Sequence, residues 1–321
     1  MRGKALLGTV LICLAVTLTA PRATANTTQA AASPISLTSG FYVNPNSSPA
    51  VWARNNPSDA RASRIQSSIA SRPIARWFAN ESGGIGPAVS SYVGAAASHG
   101  QLPVLVAYNI PGRDACGGES SGGAGSVAAY RTWISTFAAA VADRPALVVI
   151  EPDSLADFSC MSATAVADRL AMIDYAAQMF QQKAPDTWAY LDAGNAGWVD
   201  ATTMASRLDS AGVHRVRGFA VNVSNFYTTA ASVSYGNSVT AKLGSAPKFV
   251  VDTSRNGNGS NGVWCNPSGR RLGTSPQVGG GADLLLWIKT PGNSDGKCGT
   301  APTVPAGQFS PDLAVRLIDG T

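Results

Sequence analysis

The chain has 321 residues, 45% of them hydrophobic and only 13% charged, with a formal net charge of +5. Three positive charges, Arg2, Lys4 and Arg22, fall in the first 25 residues; without them the balance is +2, from 21 basic and 19 acidic side chains. Charge of that size gives no support to a nucleic-acid partner.

Residues 1–25 read as a secretory signal. Arg2 and Lys4 form a basic start, 6–18 is apolar but too short to cross a bilayer, and Ala23-Thr-Ala25 is an A-x-A cleavage site. The expectation is a secreted protein cut near Ala25, with no membrane partner. Positions 26–38 form a flexible lead-in, and 39–321 a single domain. Four cysteines remain: Cys116, Cys160, Cys265 and Cys298. They form no C-x-x-C pair, and His99 and His214 are far apart, so no metal or other cofactor is expected. Export favours two disulfides, and spacing leaves three pairings open.

The pattern predicts a strand at 41–43, a helix over 59–75, a short strand at 76–78 and a helix over 84–99. A regular alternation follows. Strands are expected at 104–109, 147–150, 188–192 and 218–223. Helices are expected over 126–142, 162–182, 201–211 and 232–243. Strands at 248–252 and 284–288 complete the set. Repeated βα units predict a parallel sheet, and about eight strands fit a barrel better than an open sheet. No G-x-G-x-x-G follows the first strand, which counts against a dinucleotide fold.

Strand after strand ends in a polar residue: Asn109, Glu151 with Asp153, Asp192, Asn222 with Asn225, Asp252, and Lys289. In a parallel barrel those ends share one rim, where such folds place their chemistry. The stretch 146–153 is the centre of this pattern. It is an apolar strand that Pro152, which cannot donate to a ladder, brings to a stop between two acids. Asp114, Asp153, Asp192 and Asp295 lie at strand ends or in Gly-rich loops. Carboxylates with indoles suggest a sugar cleft, because sugar C–H faces stack on rings and hydroxyls bond polar side chains. Trp77, Trp198 and Trp264 sit beside turns and are expected to meet ligand; Trp188 and Trp287, inside strands, are expected in the core. Glycosidic bonds are cleaved by paired carboxyls, one protonated and one ionised. Asp114 could supply the negative charge that keeps Asp153 protonated. Gly118-Glu-Ser-Ser-Gly122 fits the G-x-S-x-G of serine hydrolases. No strand runs into it, however, and only His214 follows, so that chemistry is disfavoured.

These residues resemble glycoside hydrolase family 6, cellulases that hydrolyse β-1,4-glucan with inversion. The resemblance is carried by Ala107-Tyr-Asn-Ile-Pro-Gly-Arg-Asp-Ala-Cys116, Val149-Ile-Glu-Pro-Asp-Ser-Leu155 and Tyr190-Leu-Asp-Ala-Gly194. It extends through Gly218-Phe-Ala-Val-Asn-Val-Ser-Asn225, Asp252-Thr-Ser-Arg-Asn-Gly257, Trp264-Cys-Asn-Pro-Ser-Gly-Arg270 and Trp287-Ile-Lys289. It implies a distorted α/β barrel with about seven parallel strands and an open cleft at their C-terminal ends. Asp153 would be the general acid, Asp114 would raise its pKa, and Asp295 would be the candidate base, with Ser121 in a water chain. Tyr108 would press the reactive sugar out of its chair. Asp192, Asn195, Asn222, Arg270, Lys289 and Asn293 would hold the glucan together with Trp77, Trp198 and Trp264. Disulfides Cys116–Cys160 and Cys265–Cys298 are implied. Asn195 stands where the family usually has His, Asn293 where it has Glu, and Ala115 is inserted before Cys116. Only 272–282 separates the Trp264 loop from the next strand, too little for a tunnel roof. The resemblance thus implies a monomeric, internally cutting glucanase. The alternatives are a weakly active glucan binder and an exo-acting cellobiohydrolase.

Overall fold

The computed structural model describes residues 33–321 apart from Ser82 and Ser245, and, before them, Met1 and Gly3. Those two positions aside, the signal expected over 1–25 and the lead-in at 26–32 lie outside the described residues.

Eight strands form one sheet: β1 (Arg76–Phe78), β2 (Val104–Ala107), β3 (Ala146–Ile150), β4 (Thr187–Asp192), β5 (Gly218–Val221), β6 (Lys248–Asp252), β7 (Gln277–Val278) and β8 (Leu284–Leu286). The order is β1-β2-β3-β4-β5-β6-β8-β7. Only β7 is antiparallel, at the edge beside β8. The result is a mostly parallel sheet curled into a half-barrel, the distorted α/β barrel that the resemblance implies. Across its seam, Ala75 N donates to Trp287 O at 2.9 Å and Trp77 Nε1 to Ile288 O at 2.8 Å.

The strands are apolar on both faces, and their period of two divides them between two cores. Val106, Leu147, Val149, Tyr190, Ala220 and Val250 fill the lumen. Leu105, Val148, Ile150, Leu191 and Val221 face outward against helices. Those helices begin where the sequence supplies a cap. Ser126 accepts from Ala129 N to start α4 (Val127–Val141), and Ser162 from Ala165 N to start α5 (Ala163–Lys183). Asp200 caps α6 (Ala201–Ser210), and Thr228 caps α7 (Thr229–Lys242).

The first segment departs from expectation. In place of a strand at 41–43 there is a single bridge, Phe41 to Leu102. That bridge rests on two bonds, Leu102 N to Gly40 O and Tyr42 N to Leu102 O, both at 2.8 Å. The expected helix over 59–75 is one α turn, α2 (Ala62–Ile65), opening into a π turn at Gln66–Ala70. Three elements were not anticipated: helix α1 (Ser48–Asn55), strand β7 and the C-terminal helix α8 (Pro311–Asp319). Ala314 of α8 packs with Ile65, Ile69 and Trp287 in a separate small core. Helix α3 (Ile85–Ser98) follows β1 as predicted.

Candidate active site

The polar strand ends form two layers. The lower layer is buried and holds backbone. Past the ladder, strand-end amides lose their partners and must find others. Glu151 supplies them after β2: Asn109 N donates to Oε1 and Oε2 at 3.0 and 2.9 Å, and Ile110 N to Oε2 at 2.9 Å. Burial pushes the Glu151 carboxyl up to about 7, against the pull of those amides. Asp252 gathers four amides, from Ser224, Ser254, Ile288 and Lys289, at 2.9–3.2 Å. The buried Asn222 amide bridges the Tyr227 and Asp252 carbonyls, and its oxygen accepts from Tyr227 N. Asp192, also buried, accepts from Asp153 N at 2.9 Å and Gly194 N at 3.0 Å. Asp192 and Asn222 therefore lie beneath the groove, not in its wall, which corrects their assignment as glucan contacts. Arg270 is likewise turned away: its guanidinium donates to the Ser268 and Gly259 carbonyls.

The upper layer lines a groove of about 1230 Å³ across the C-terminal strand ends. Asp114, Asp153 and Asp295 all face it, as do Tyr108 and Ser121. Asp153 stands just beyond β3 with φ +69°, and Glu151 before it has φ +50°. This conformation, uncommon outside glycine, turns Asp153 into the groove while Glu151 goes down to the amides. Burial drives the Asp153 pKa well above its ordinary value; the Asp192, Asp114 and Asp157 charges push it further, against Lys289. Its carboxyl thus holds a proton where a free one would not.

Asp114 lies on the loop after β2, also at positive φ (+53°), and its Oδ2 accepts from Ser120 N at 2.6 Å. Arg113 steadies the loop's base. It donates to Tyr108 O at 2.6 Å and lies 4.6 Å over the Tyr108 ring. The Cys116–Cys160 disulfide ties the loop to the segment after Asp153, and Cys116 N donates to Asp157 at 3.0 Å. The Gly118–Gly122 serines belong to this wall, while His214 lies outside it, paired with Asp209 at 3.3 Å.

Asp295 comes from the loop after β8. Arg255 Nη1 lies 2.9 Å from its Oδ2, and Lys289 Nζ 2.9 Å from its Oδ1. Burial works to raise its pKa, but the Arg255 and Lys289 charges and their hydrogen bonds outweigh that and hold it below the ordinary value. Arg255, buried over the Phe226 ring at 4.3 Å, was missed in the sequence. Its signal was there, within the same 252–257 motif. Cys265–Cys298 and Asn266, whose N–H donates to Asp295 at 3.1 Å, brace the loop. The two loops touch where Lys297 N donates to Glu119 at 3.2 Å.

Aromatic walls complete the groove. Trp77 stands edge-on to Tyr108 at 5.1 Å. Trp198 and Trp264 are 45% and 50% exposed, unusual for free indole and suited to stacking a ligand. Trp287 is core, and Trp188 lies beneath Arg217 at 3.9 Å. Asn195 lines the groove with its carbonyl on Gly197 N, and Asn293 lines it while accepting from Ser48 Oγ. Lys289 lines it too, committed to Asp295.

A parallel barrel with one carboxyl held protonated and another held ionised, in a groove rimmed by indoles, has the makings of a glycosidase. The chain belongs to the glycosyl hydrolases family 6, whose sequence model matches residues 37–321, and is a glycoside hydrolase. It is 54% identical to Endoglucanase 1 of Streptomyces halstedii over 294 residues, covering 90% of this chain and 92% of that protein. It is 41% identical to Endoglucanase A of Cellulomonas fimi over 286 residues, covering 87% of this chain and 61% of that longer protein. Its fold matches the endoglucanase Cel6 of Mycobacterium tuberculosis, solved with a methyl-cellobiosyl-4-deoxy-4-thio-β-D-cellobioside, with a TM-score of 0.82. That match is 40% identical and covers 90% of this chain and 99% of the other.

Proposed function

We infer that the protein is a secreted endo-β-1,4-glucanase that cuts glucan chains internally, in one displacement with inversion. The observation that carries the mechanism is the opposed tuning of Asp153 and Asp295, which both face one groove. Asp153 gives its proton to the leaving glycosidic oxygen as the C–O bond breaks. Water attacks the anomeric carbon from the other face and loses a proton. Two cations on Asp295 weaken its basicity, which favours relay of that proton to bulk solvent through water held by Ser121 and Asp114, and Asp153 regains a proton from solvent after product leaves. Asp295, held between Arg255 and Lys289, stays ionised throughout. Trp77, Trp198 and Trp264 stack the glucosyl units.

Internal cutting is supported by the loop at 272–282, which lies against the barrel flank. Thr274 O accepts from Trp287 Nε1 at 2.9 Å, and Gln277 pairs with Leu285. The endoglucanase names of the similar proteins point the same way. Secretion rests on the signal pattern and the two disulfides.

The test is Asp153→Asn. Turnover of a soluble β-glucan should fall by roughly 10²–10⁴-fold, cello-oligosaccharide binding should persist, and the wild type's first product should be the α-anomer by proton NMR. Undiminished turnover, or a β-anomer, would sink the assignment.

A further inference from the structure

We propose that Asn261 is a self-modification site beside the groove. Its side chain closes onto the Gly262 backbone nitrogen, ammonia leaves, and the aspartyl or isoaspartyl residue that results loosens the Trp264 platform as the enzyme ages. The chemistry stands apart from the glucanase reading; its effect on KM rests on that reading.

Asparagine before glycine is the pair most prone to this reaction, because glycine has no Cβ to keep its nitrogen from the side-chain carbon. Three such pairs crowd one loop: Asn256-Gly257, Asn258-Gly259 and Asn261-Gly262. The structure separates them. Asn256 is 3% exposed, and its Nδ2 donates to Tyr227 O and Thr229 Oγ1, both at 3.1 Å. Gly257 N is engaged with Arg271 O at 3.0 Å. Asn258 lies at the surface, but its Nδ2 donates to Gly269 O at 3.0 Å, and Gly259 N donates to Asn256 O at 3.1 Å. In both pairs the amide that must leave and the nitrogen that must attack are tied down.

Asn261 differs. Residues 261–264 are exposed, and a Cβ built on Gly262 would meet nothing within 4 Å. Asn261 Oδ1 accepts from Val263 N at 3.1 Å, a turn that folds the side chain back over the Gly262 peptide. That bond holds Cγ on the side of the nitrogen that attacks it and draws electrons from Cγ. Gly262 N donates to the Ser260 hydroxyl at 3.1 Å, an exposed bond that water replaces.

The step balances with water alone. Solvent base takes the Gly262 N–H proton, the N–Cγ bond forms, the Cγ–Nδ2 bond breaks, and ammonia departs to leave a cyclic imide. Water then opens the ring at one carbonyl to give aspartate, or at the other to give isoaspartate, whose main chain runs through an extra methylene. Nothing is oxidised or reduced. Either product sets a carboxylate beside Gly262, which lines the groove with Val263 and Trp264. The longer main chain of isoaspartate also shifts the segment on which Trp264 stands.

The experiment ages the purified enzyme for days in mildly alkaline buffer, well below its unfolding temperature. Peptide mass mapping, with enzymatic detection of isoaspartate, follows each of the three pairs, and kcat and KM are measured on a soluble β-glucan. Asn261 should convert while Asn256 and Asn258 stay intact. KM should rise roughly two- to tenfold, the worth of one aromatic stack, with kcat little changed. Asn261→Gln, whose longer side chain closes poorly, should keep its starting KM. Trp264→Ala should convert at Asn261 with no further rise in KM. An intact Asn261, or earlier conversion at Asn256 or Asn258, overturns the proposal. So does an unchanged KM once most molecules have converted, or an equal rise in Asn261→Gln. An unaged enzyme that does not cleave β-glucan defeats the glucanase reading instead, and the mass map still decides the chemistry.

Discussion

At the scale of residues, Asp153 is a strong proton holder because its neighbours are acids and its surroundings are dry. Asp192 touches it, with its carboxylate on the Asp153 amide, and burial pushes Asp192 itself up to about 7. The two therefore titrate as a pair. Hydrolysis needs the proton on Asp153, so activity is lost as pH rises through the pair's raised range. Asp192→Asn removes one negative charge and keeps an oxygen for the amides. Its pH–rate profile should lose activity at lower pH on the alkaline side, with the acid side unmoved. An alkaline limb that stays in place would show that Asp192 does not tune the acid. The groove positions of Asp114 and Asp153 were legible in the sequence because each sits in a distinctive motif, and that of Asp295 because it lies in a Gly-rich loop beyond a strand end. The burial of Asp192 and Asn222 was not. A strand end can turn its side chain up to the groove or down to orphan amides, and the letters at that position do not distinguish the two.

At the scale of elements, the ends of β5, β6 and β8 are held together by one side chain. Asp252 takes an amide from Ser224, one from Ser254, and two from Ile288 and Lys289. Asp252→Ala would strand four N–H groups, two buried and two half-buried, at a cost of about 3 kcal/mol. Urea unfolding should show it as a lower midpoint with an unchanged slope. A loss below about 1 kcal/mol would mean that water replaces the carboxylate. The helices expected from 126, 162 and 201 were legible in the local sequence, as were the buried strands. The strand at 41–43 failed because its pairing with the partner segment is limited to one bridge, Phe41 to Leu102, a long-range fact. Helix α8 opens with Ser310 and Pro311, a start signal that was overlooked.

At the scale of the whole molecule, the two disulfides lie outside the cores. Cys116–Cys160 and Cys265–Cys298 join segments 44 and 33 residues apart, in the loops that carry Asp114 and Asp295. Removal of the second pair by Cys265→Ser with Cys298→Ser should cost about 2–4 kcal/mol. Turnover at a temperature well below unfolding should fall as well, because the Asp295 loop loses its brace. Full turnover with a lowered Tm would show that the bridge serves stability alone.

The contact between Glu119 and the amide of Lys297 has a consequence for traffic through the enzyme. A cellulose chain has hundreds of units and no nearby end to thread, so its middle must drop into place sideways. One solvent-exposed fastening between two short loops resists that entry weakly, since water competes for both partners. A bond of that kind is one that water can replace, so it does not bar entry from the side. Side-on entry and departure of two shorter chains then need only that one contact to give way.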